Sequence, residues 1–319
     1  MRQLGVGADM GPSVDLVDRP AAGVHAVLCT PFRPDGAVDV DGVERMVDYY
    51  EAAGVQGLVV ASVFGEGALL DPDERELLMV RVVARRRRAA VMAAVLADDT
   101  EEAVRQAERA VGLGATQLLV KPPLVEPGRL LAHFARVAAA APVILLDHPT
   151  TRTRLSIPTI AALLAAVPGV VAIKLEEEPT PPKIRTLRAC VGRRIAIFGG
   201  LGGAHCMAEL GAGAEGFFTG YPLPGHLVEI VERHRCGDVA GALAVFRQTA
   251  PLLESQPRGP AAIAFRKEVL RRLGVIAHAG VRHPTTPLSR ALAERIGALL
   301  PSALPPGDTF PLSQGDRSP

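Results

Sequence analysis

Neither sign of charge dominates this chain: 35 Lys and Arg stand against 34 Asp and Glu, for a formal net charge of +1. So weak a field argues against nucleic acid or an anionic membrane surface as partner and favours a small molecule. Cysteine is sparse. Cys29, Cys190, Cys206 and Cys236 lie far apart, without the paired spacing of a zinc site or a disulfide framework, which suits a reducing cytoplasm. Long apolar runs are missing as well. No stretch approaches the roughly 20 residues needed to span a bilayer, and the N-terminal residues have no continuous apolar segment of the kind a signal peptide carries. A soluble, cytoplasmic protein is expected. Lysine is the rarest charged residue, confined to Lys121, Lys174, Lys183 and Lys267.

What the chain does have is a series of short apolar runs: Val24–Cys29, Gly57–Ala61, Val91–Leu96, Gln117–Val120, Val143–Leu146, Val170–Ile173, Ile195–Phe198 and Gly216–Phe218. None alternates cleanly with polar residues, which is how strands buried on both faces read. The segments between them carry helix signals. Asp39 precedes the stripe Val43, Met46, Val47 and Tyr50. Asp71-Pro72-Asp73-Glu74 supplies a cap, a first-turn proline and an acidic N3 residue, and Thr100-Glu101-Glu102 opens a third helix that closes near Gly112 and Gly114.

Strand and helix alternate through about eight units, so the expected fold is α/β, a (β/α)₈ TIM barrel with a C-terminal helical extension; an open doubly wound sheet is the alternative. The expected organisation is a flexible segment over 1–22, the barrel over 23–236, helices over 237–300 (Val239–Leu253, Ala261–Leu273 and Leu288–Leu300) and a disordered tail over 301–319.

Reactive groups of a parallel barrel gather where the strands end. Those positions hold Thr30, Ser62 to Glu66, Lys121, Asp147 and His148, Lys174, Gly199 to Gly203, and Thr219 to Tyr221. Lys174 directly follows an apolar strand, and burial in apolar surroundings lowers a lysine's affinity for its proton, giving the neutral amine that a Schiff base needs. The residues alone leave open a lysine that snorkels outward to pair with Glu176 or Glu177.

Several segments resemble one family. Gly54-Val55-Gln56-Gly57-Leu58-Val59-Val60, Phe64-Gly65-Glu66 and Leu70-Asp71-Pro72-Asp73-Glu74-Arg75 match its second strand and loop. Thr30-Pro31-Phe32 after strand 1, Pro142-Val143-Ile144-Leu145 with Pro149 at strand 5, and Ile173-Lys174 at strand 6 match too. From about Val24 to Leu300 the chain resembles the dihydrodipicolinate synthase and N-acetylneuraminate lyase family of Schiff-base aldolases and dehydratases. The resemblance implies that Lys174 forms a Schiff base with a 2-oxo acid, that no further cofactor is used, and that the chain is a homo-oligomer, a dimer or tetramer.

Three departures bear on the reaction. Val63 and Phe64 replace the family's paired threonines, Pro122-Pro123-Leu124 replaces its Pro-Tyr-Tyr turn, and Leu146 stands where the proton-transferring tyrosine belongs. Condensation of pyruvate with aspartate semialdehyde is therefore not expected. A nearer likeness is to the 2-oxo-3-deoxy sugar acid dehydratases, on Leu145-Leu146-Asp147-His148-Pro149, Lys174-Leu175-Glu176, Gly211-Ala212-Gly213-Ala214-Glu215-Gly216 and Thr219-Gly220-Tyr221-Pro222.

If Leu146 faces inward, strand parity turns Asp147 away and returns His148 to the barrel mouth. His148 could then carry protons in the tyrosine's place, or be a structural histidine bonded to loop backbone. The expected site is thus Lys174 and His148 as catalytic groups, with Ser62, Val63, Phe64, Gly65, Leu146, Asp147, Gly200, Phe218 and Thr219 as substrate-binding residues. Backbone N–H groups of Ser62-Val63-Phe64-Gly65 would receive the carboxylate, and Glu66 would brace that loop.

Competing readings are a phosphosugar enzyme using Gly199-Gly200-Leu201-Gly202-Gly203 at a helix N-terminus, and a catalytically silent member with a binding or regulatory role. Arg85-Arg86-Arg87-Arg88 reads as a solvated helix end, because no aromatic residues interleave with it. His205 beside Cys206 lacks further ligands at metal spacing, so no metal is expected.

Overall fold

Asp39 ends an extended segment with its carboxylate accepting from the Gly42 N–H, and helix α1 (Val40–Ala52) begins there. Asp71 and Glu74 form a reciprocal capping box at the start of α2 (Pro72–Arg85), with Pro72 in the first turn where its missing N–H is no loss. Asp99 caps α3 (Thr100–Gly112) in the same way. Each cap satisfies an orphan donor at a strand-to-helix crossing, which fixes where the chain turns back along the barrel.

The computed structural model describes residues 19–124, 127–148 and 154–304. Pro149, most of the segment expected to be flexible before residue 23 and nearly all of the expected tail lie outside them. Eight strands, β1 (Gly23–Val27), β2 (Gly57–Val60), β3 (Ala90–Val95), β4 (Gln117–Val120), β5 (Val143–Asp147), β6 (Val170–Leu175), β7 (Ala196–Phe198) and β8 (Gly216–Thr219), pair in parallel in the order β7-β6-β5-β4-β3-β2-β1-β8. The ring closes at a bridge between Gly199 and Phe217, where Gly199 donates to the Gly216 carbonyl and accepts from Phe218 N–H. This is the (β/α)₈ TIM barrel, and the open doubly wound sheet is excluded by that closure.

The outer helices continue with α4 (Pro127–Val137), α5 (Ile157–Ala166), α6 (Thr180–Val191), α7 (Cys206–Gly211) and α8 (Pro224–Arg235). Apolar residues on their inner faces and on the outward face of the strands make the larger core. A second, separate core fills the barrel lumen with Val27, Val59, Met92, Leu119, Ile144, Leu146, Ala172, Ala196, Phe198 and Phe218. At β1, His25 lies among them uncharged, stacked on Phe218 at 4.4 Å, and burial pushes its pKa down to about 4. Each fully buried side chain of this kind contributes roughly 1.5–3 kcal/mol.

The arginine run after α2 is tied to the protein: Arg85 pairs with Asp48, and the N–H groups of Arg87, Arg88 and Ala89 all donate to the Glu51 carboxylate. Beyond the barrel come α9 (Val239–Glu254), α10 (Ala261–Arg272) and α11 (Arg290–Ala303). The last helix continues past Leu300 and holds Pro301 in its final turn, so helix extends to Ala303, into the stretch expected to be tail. Helix α10 is no peripheral appendage: every residue from Ala262 to Leu270 is buried, and it lies against the loop after β2. No helix among the described residues is long and apolar enough to cross a membrane.

Candidate active site

Four strand ends build the mouth of the barrel. On β6, Ala172 belongs to the lumen core, and the two-residue period brings Lys174 and Glu176 to the same face. Lys174 is 3% exposed and Glu176 2%. Lys174 Nζ lies 2.8 Å from Glu176 Oε2, so the lysine does not snorkel to solvent. Beside that ion pair, Oε2 has no hydrogen-bond partner among the described residues. The other oxygen, Oε1, accepts from Leu201 N–H at 2.7 Å. Burial opposes ionisation of Glu176, but Lys174, His148 and the Leu201 amide outweigh it and hold its carboxyl below the usual range.

On β5 the same period puts Leu146 in the lumen core and His148 at the mouth, with Nε2 3.9 Å from Glu176 Oε2. Burial lowers the His148 pKa, only partly countered by Glu176, so the ring is neutral around pH 7 and able to accept a proton. Phe64 leans over the group from the loop after β2, its ring centroid 6.0 Å from Lys174 Nζ and 5.9 Å from the His148 ring. A cavity of about 170 Å³ opens beside Phe64 and His148, walled by Val63, Leu69, Pro260 and Ile263. A larger one of about 470 Å³ lies among Arg75, Glu76, Glu102 and Arg105 of α2 and α3 and contains none of these groups.

The glycines after β7 serve this carboxylate cluster. A Cβ on Gly200 would stand 2.1 Å from Glu176 Oε1, and one on Gly199 would stand 2.1 Å from Glu209 Oε2. Only glycine lets the backbone approach so closely. Glu209 of α7 accepts from Thr180 Oγ1 at 2.5 Å, and burial pushes its pKa up to about 7. A loop packed against the ionised Glu176 repels a phosphate, which argues against a phosphosugar site there.

A model described as the Dihydrodipicolinate synthetase family matches residues 20–303. The chain belongs to that family. Among curated relatives, a 4-hydroxy-tetrahydrodipicolinate synthase of Xanthomonas campestris is 33% identical over 293 residues, covering 87% of this chain and 94% of its own. An L-2-keto-3-deoxyarabonate dehydratase of Azospirillum brasilense is 29% identical over 272 residues, covering 82% and 88%. Among solved structures, a dihydrodipicolinate synthase from Rhodopseudomonas palustris superposes with a TM-score of 0.83 at 29% identity, covering 89% of this chain and 98% of that one. Members of the Dihydrodipicolinate synthetase family include aldolase-like lyases and dehydratases, and this chain is a lyase of that kind acting on a small molecule.

Within this member of the family, several residues expected to bind substrate lie elsewhere. Asp147 points out of the lumen to Lys183 Nζ at 2.6 Å, because parity opposes it to Leu146 and His148. Thr219 is likewise turned from the lumen side of Phe218, its Oγ1 accepting from Tyr221 N–H. Phe218 packs on His25 and Phe198 inside the lumen core. Gly65 N–H points back to Ser62, whose Oγ accepts from it at 3.2 Å, so that amide and that lone pair are occupied. Gly200 meets Glu176. Val63, Phe64, His148 and Lys174 remain at the mouth.

Glu66 braces the loop as expected, paired with Lys267 and accepting from Arg282 N–H at 2.7 Å. Two groups are not among the expected site residues, and the pairing of Lys174 with Glu176 occurs buried rather than at the surface. Glu176 shares a strand face with Lys174 by simple parity, a signal that was present. Arg266 comes from α10, remote in sequence, and its guanidinium carbon sits 4.5 Å from the Phe64 ring centroid. Among the described residues no group of three or more His, Cys, Asp or Glu is placed to hold a metal ion; His205 faces Glu178 at 3.1 Å.

Proposed function

We propose that this chain is a Schiff-base-forming lyase of 2-oxo acids, with a 2-keto-3-deoxy acid as substrate. The observation that carries the reading is Lys174 itself, an amine buried at the mouth of the lumen against one carboxylate oxygen that has no other hydrogen-bond partner. Every other lysine is held by structural pairs: Lys121 by Asp98, Lys183 by Asp147 and Glu177, Lys267 by Glu66.

Glu176 can relay the Lys174 ammonium proton to neutral His148, leaving the amine free to attack the ketone carbon. The proton returns to the carbinolamine hydroxyl, which leaves as water, and the resulting iminium, again a cation, is stabilised by the Glu176 carboxylate. Neutral His148 then accepts the C3 proton, and the electron pair of that C–H bond enters the iminium to form an enamine. The enamine expels the C4 hydroxyl, which leaves as water with the proton returned by His148. Hydrolysis of the remaining imine frees the product and Lys174. Cleavage of the C3–C4 bond would begin from the same imine, with the C4 hydroxyl proton as the one removed. Leu146 carries no proton, and this supports elimination over the synthase reaction of the Xanthomonas relative.

Borohydride with pyruvate, or with a panel of longer 2-oxo acids, is expected to add covalent mass at Lys174, and none in Lys174→Met. An unlabelled wild-type protein across the whole panel would overturn the reading.

A further inference from the structure

Arg266 takes no part in the chemistry above, and its surroundings are those of a cation awaiting an anion. It is 6% exposed. Its Nε donates to Gln256 Oε1 at 3.2 Å, while Nη1, fully buried, has no hydrogen-bond partner among the described residues. The neighbouring acid on α10, Glu268, is turned to Arg271 and Arg272. Glu176 acts on Arg266 only at a distance, being already against Lys174. A buried charge without a partner is costly to the fold, so its retention at a barrel mouth calls for a counter-ion.

The guanidinium is aimed. Its Cζ lies 4.5 Å over the centroid of Phe64, the ring that also overlooks Lys174 and His148. Nη1 reaches the end of β8 at Gly220, where a Cβ would stand 2.7 Å from it. Gly220 is two residues beyond Phe218, hence on the lumen side of the strand. Gln256 holds the Nε edge and leaves Nη1 without a partner beside Gly220. In the loop after β2 the Gly65 and Glu66 amides bond back to Ser62 and Val63, so the first-turn amides of Val63 and Phe64 are the ones able to share an anion with the arginine.

Resting on the lyase reading, we infer that Arg266 anchors the substrate, joining the loop after β2 in receiving the carboxylate of the 2-oxo acid whose ketone meets Lys174. A planar, permanently charged fork suits a planar carboxylate better than any other side chain. Phe64 fixes the fork's orientation by stacking.

Oxamate has the shape and charge of pyruvate but forms no Schiff base, so its binding reports the anchor alone. Calorimetric titration is expected to show oxamate binding to the wild type, weakened roughly 10- to 100-fold in Arg266→Met, with Arg266→Lys between them. In Arg266→Met the unbranched apolar chain can still lie on Phe64, and circular dichroism checks the fold; should it not fold, Arg266→Lys decides, an unchanged affinity overturning the inference. Equal affinity in wild type and Arg266→Met, or no binding to the wild type at millimolar oxamate, overturns it as well. With borohydride, half-labelling by pyruvate should need a concentration raised by the same factor in Arg266→Met, while uncharged methyl pyruvate labels both proteins alike. Oxamate affinity lost in Arg266→Met without any label at Lys174 would support the anchor and refute the lysine chemistry.

Discussion

Lys267 and Lys174 are both buried against a glutamate near the C-terminal end of the barrel, and the two pairs are built differently. Lys267 Nζ donates to Glu66 and to the Gly280 carbonyl, and the second Glu66 oxygen accepts from Arg282 N–H. Glu66 borders the cavity of about 170 Å³, but each of its oxygens already accepts, from Lys267 and from Arg282 N–H. Lys174 meets Glu176 beside a neutral histidine and near the Arg266 guanidinium, and the carboxylate oxygen it faces has no further partner among the described residues. A saturated buried pair locks a loop. An unsaturated one can exchange a proton, and that difference separates scaffold from chemistry more surely than burial does.

The sharpest way to break this contrast is to replace each lysine by methionine. Lys174→Met is expected to reduce turnover of any 2-keto-3-deoxy acid to background. Its urea midpoint should shift less than that of Lys267→Met, because Glu176 keeps the Leu201 amide and nearby His148. Equal stability losses with activity retained in Lys174→Met would erase the distinction.

Next in size is His148→Gln, for which kcat should fall about 10²- to 10⁴-fold, the usual worth of a positioned acid or base. Because burial lowers the His148 pKa, the wild-type rate should hold through neutrality and decline as acid protonates the ring. That acid limb should be missing from the variant's profile. A parallel profile in both would make His148 structural.

Lys267→Met should cost about 3–5 kcal/mol in urea unfolding, the penalty of leaving Glu66 buried without its partner. Adding Glu66→Gln should recover much of the loss. No recovery would mean that the pair is not the brace described.

The smallest effect concerns Glu209. Its folded pKa of about 7 stands above the ordinary 4.5, so folding favours the protonated form. Below about pH 4.5 both states are protonated and nothing is lost; stability declines as pH rises from there to about 7 and is level beyond. Glu209→Gln should therefore match the wild type at pH 4 and exceed it at pH 8, by on the order of 3 kcal/mol at most. Equal melting temperatures at both pH values would count against a protonated Glu209.

How far these features could be read in advance follows from local pattern. The eight strands were legible because burial on both faces leaves unbroken apolar runs; the Gln117–Val120 run coincides with β4. Lys174 was legible because it interrupts such a run in a chain poor in lysine. Arg266 and Lys267 were not, since α10 is buried along its whole middle and shows no stripe to separate a mouth-facing residue from a core one. The charged triplet Arg266-Lys267-Glu268 inside an apolar helix was the one available hint. Asp147 and Thr219 sit at strand ends, as site residues do, but the alternation of the strand sends their side chains the other way.

The joint between β7 and β8 has a further consequence. Gly199 carries two of the backbone bonds that complete the ring, and two residues later Leu201 N–H holds the Glu176 carboxylate. The staple that shuts the cylinder is thus also the footing of the acid that faces Lys174. Warming that loosens this short seam should blunt activity while far-ultraviolet circular dichroism still reports an intact barrel.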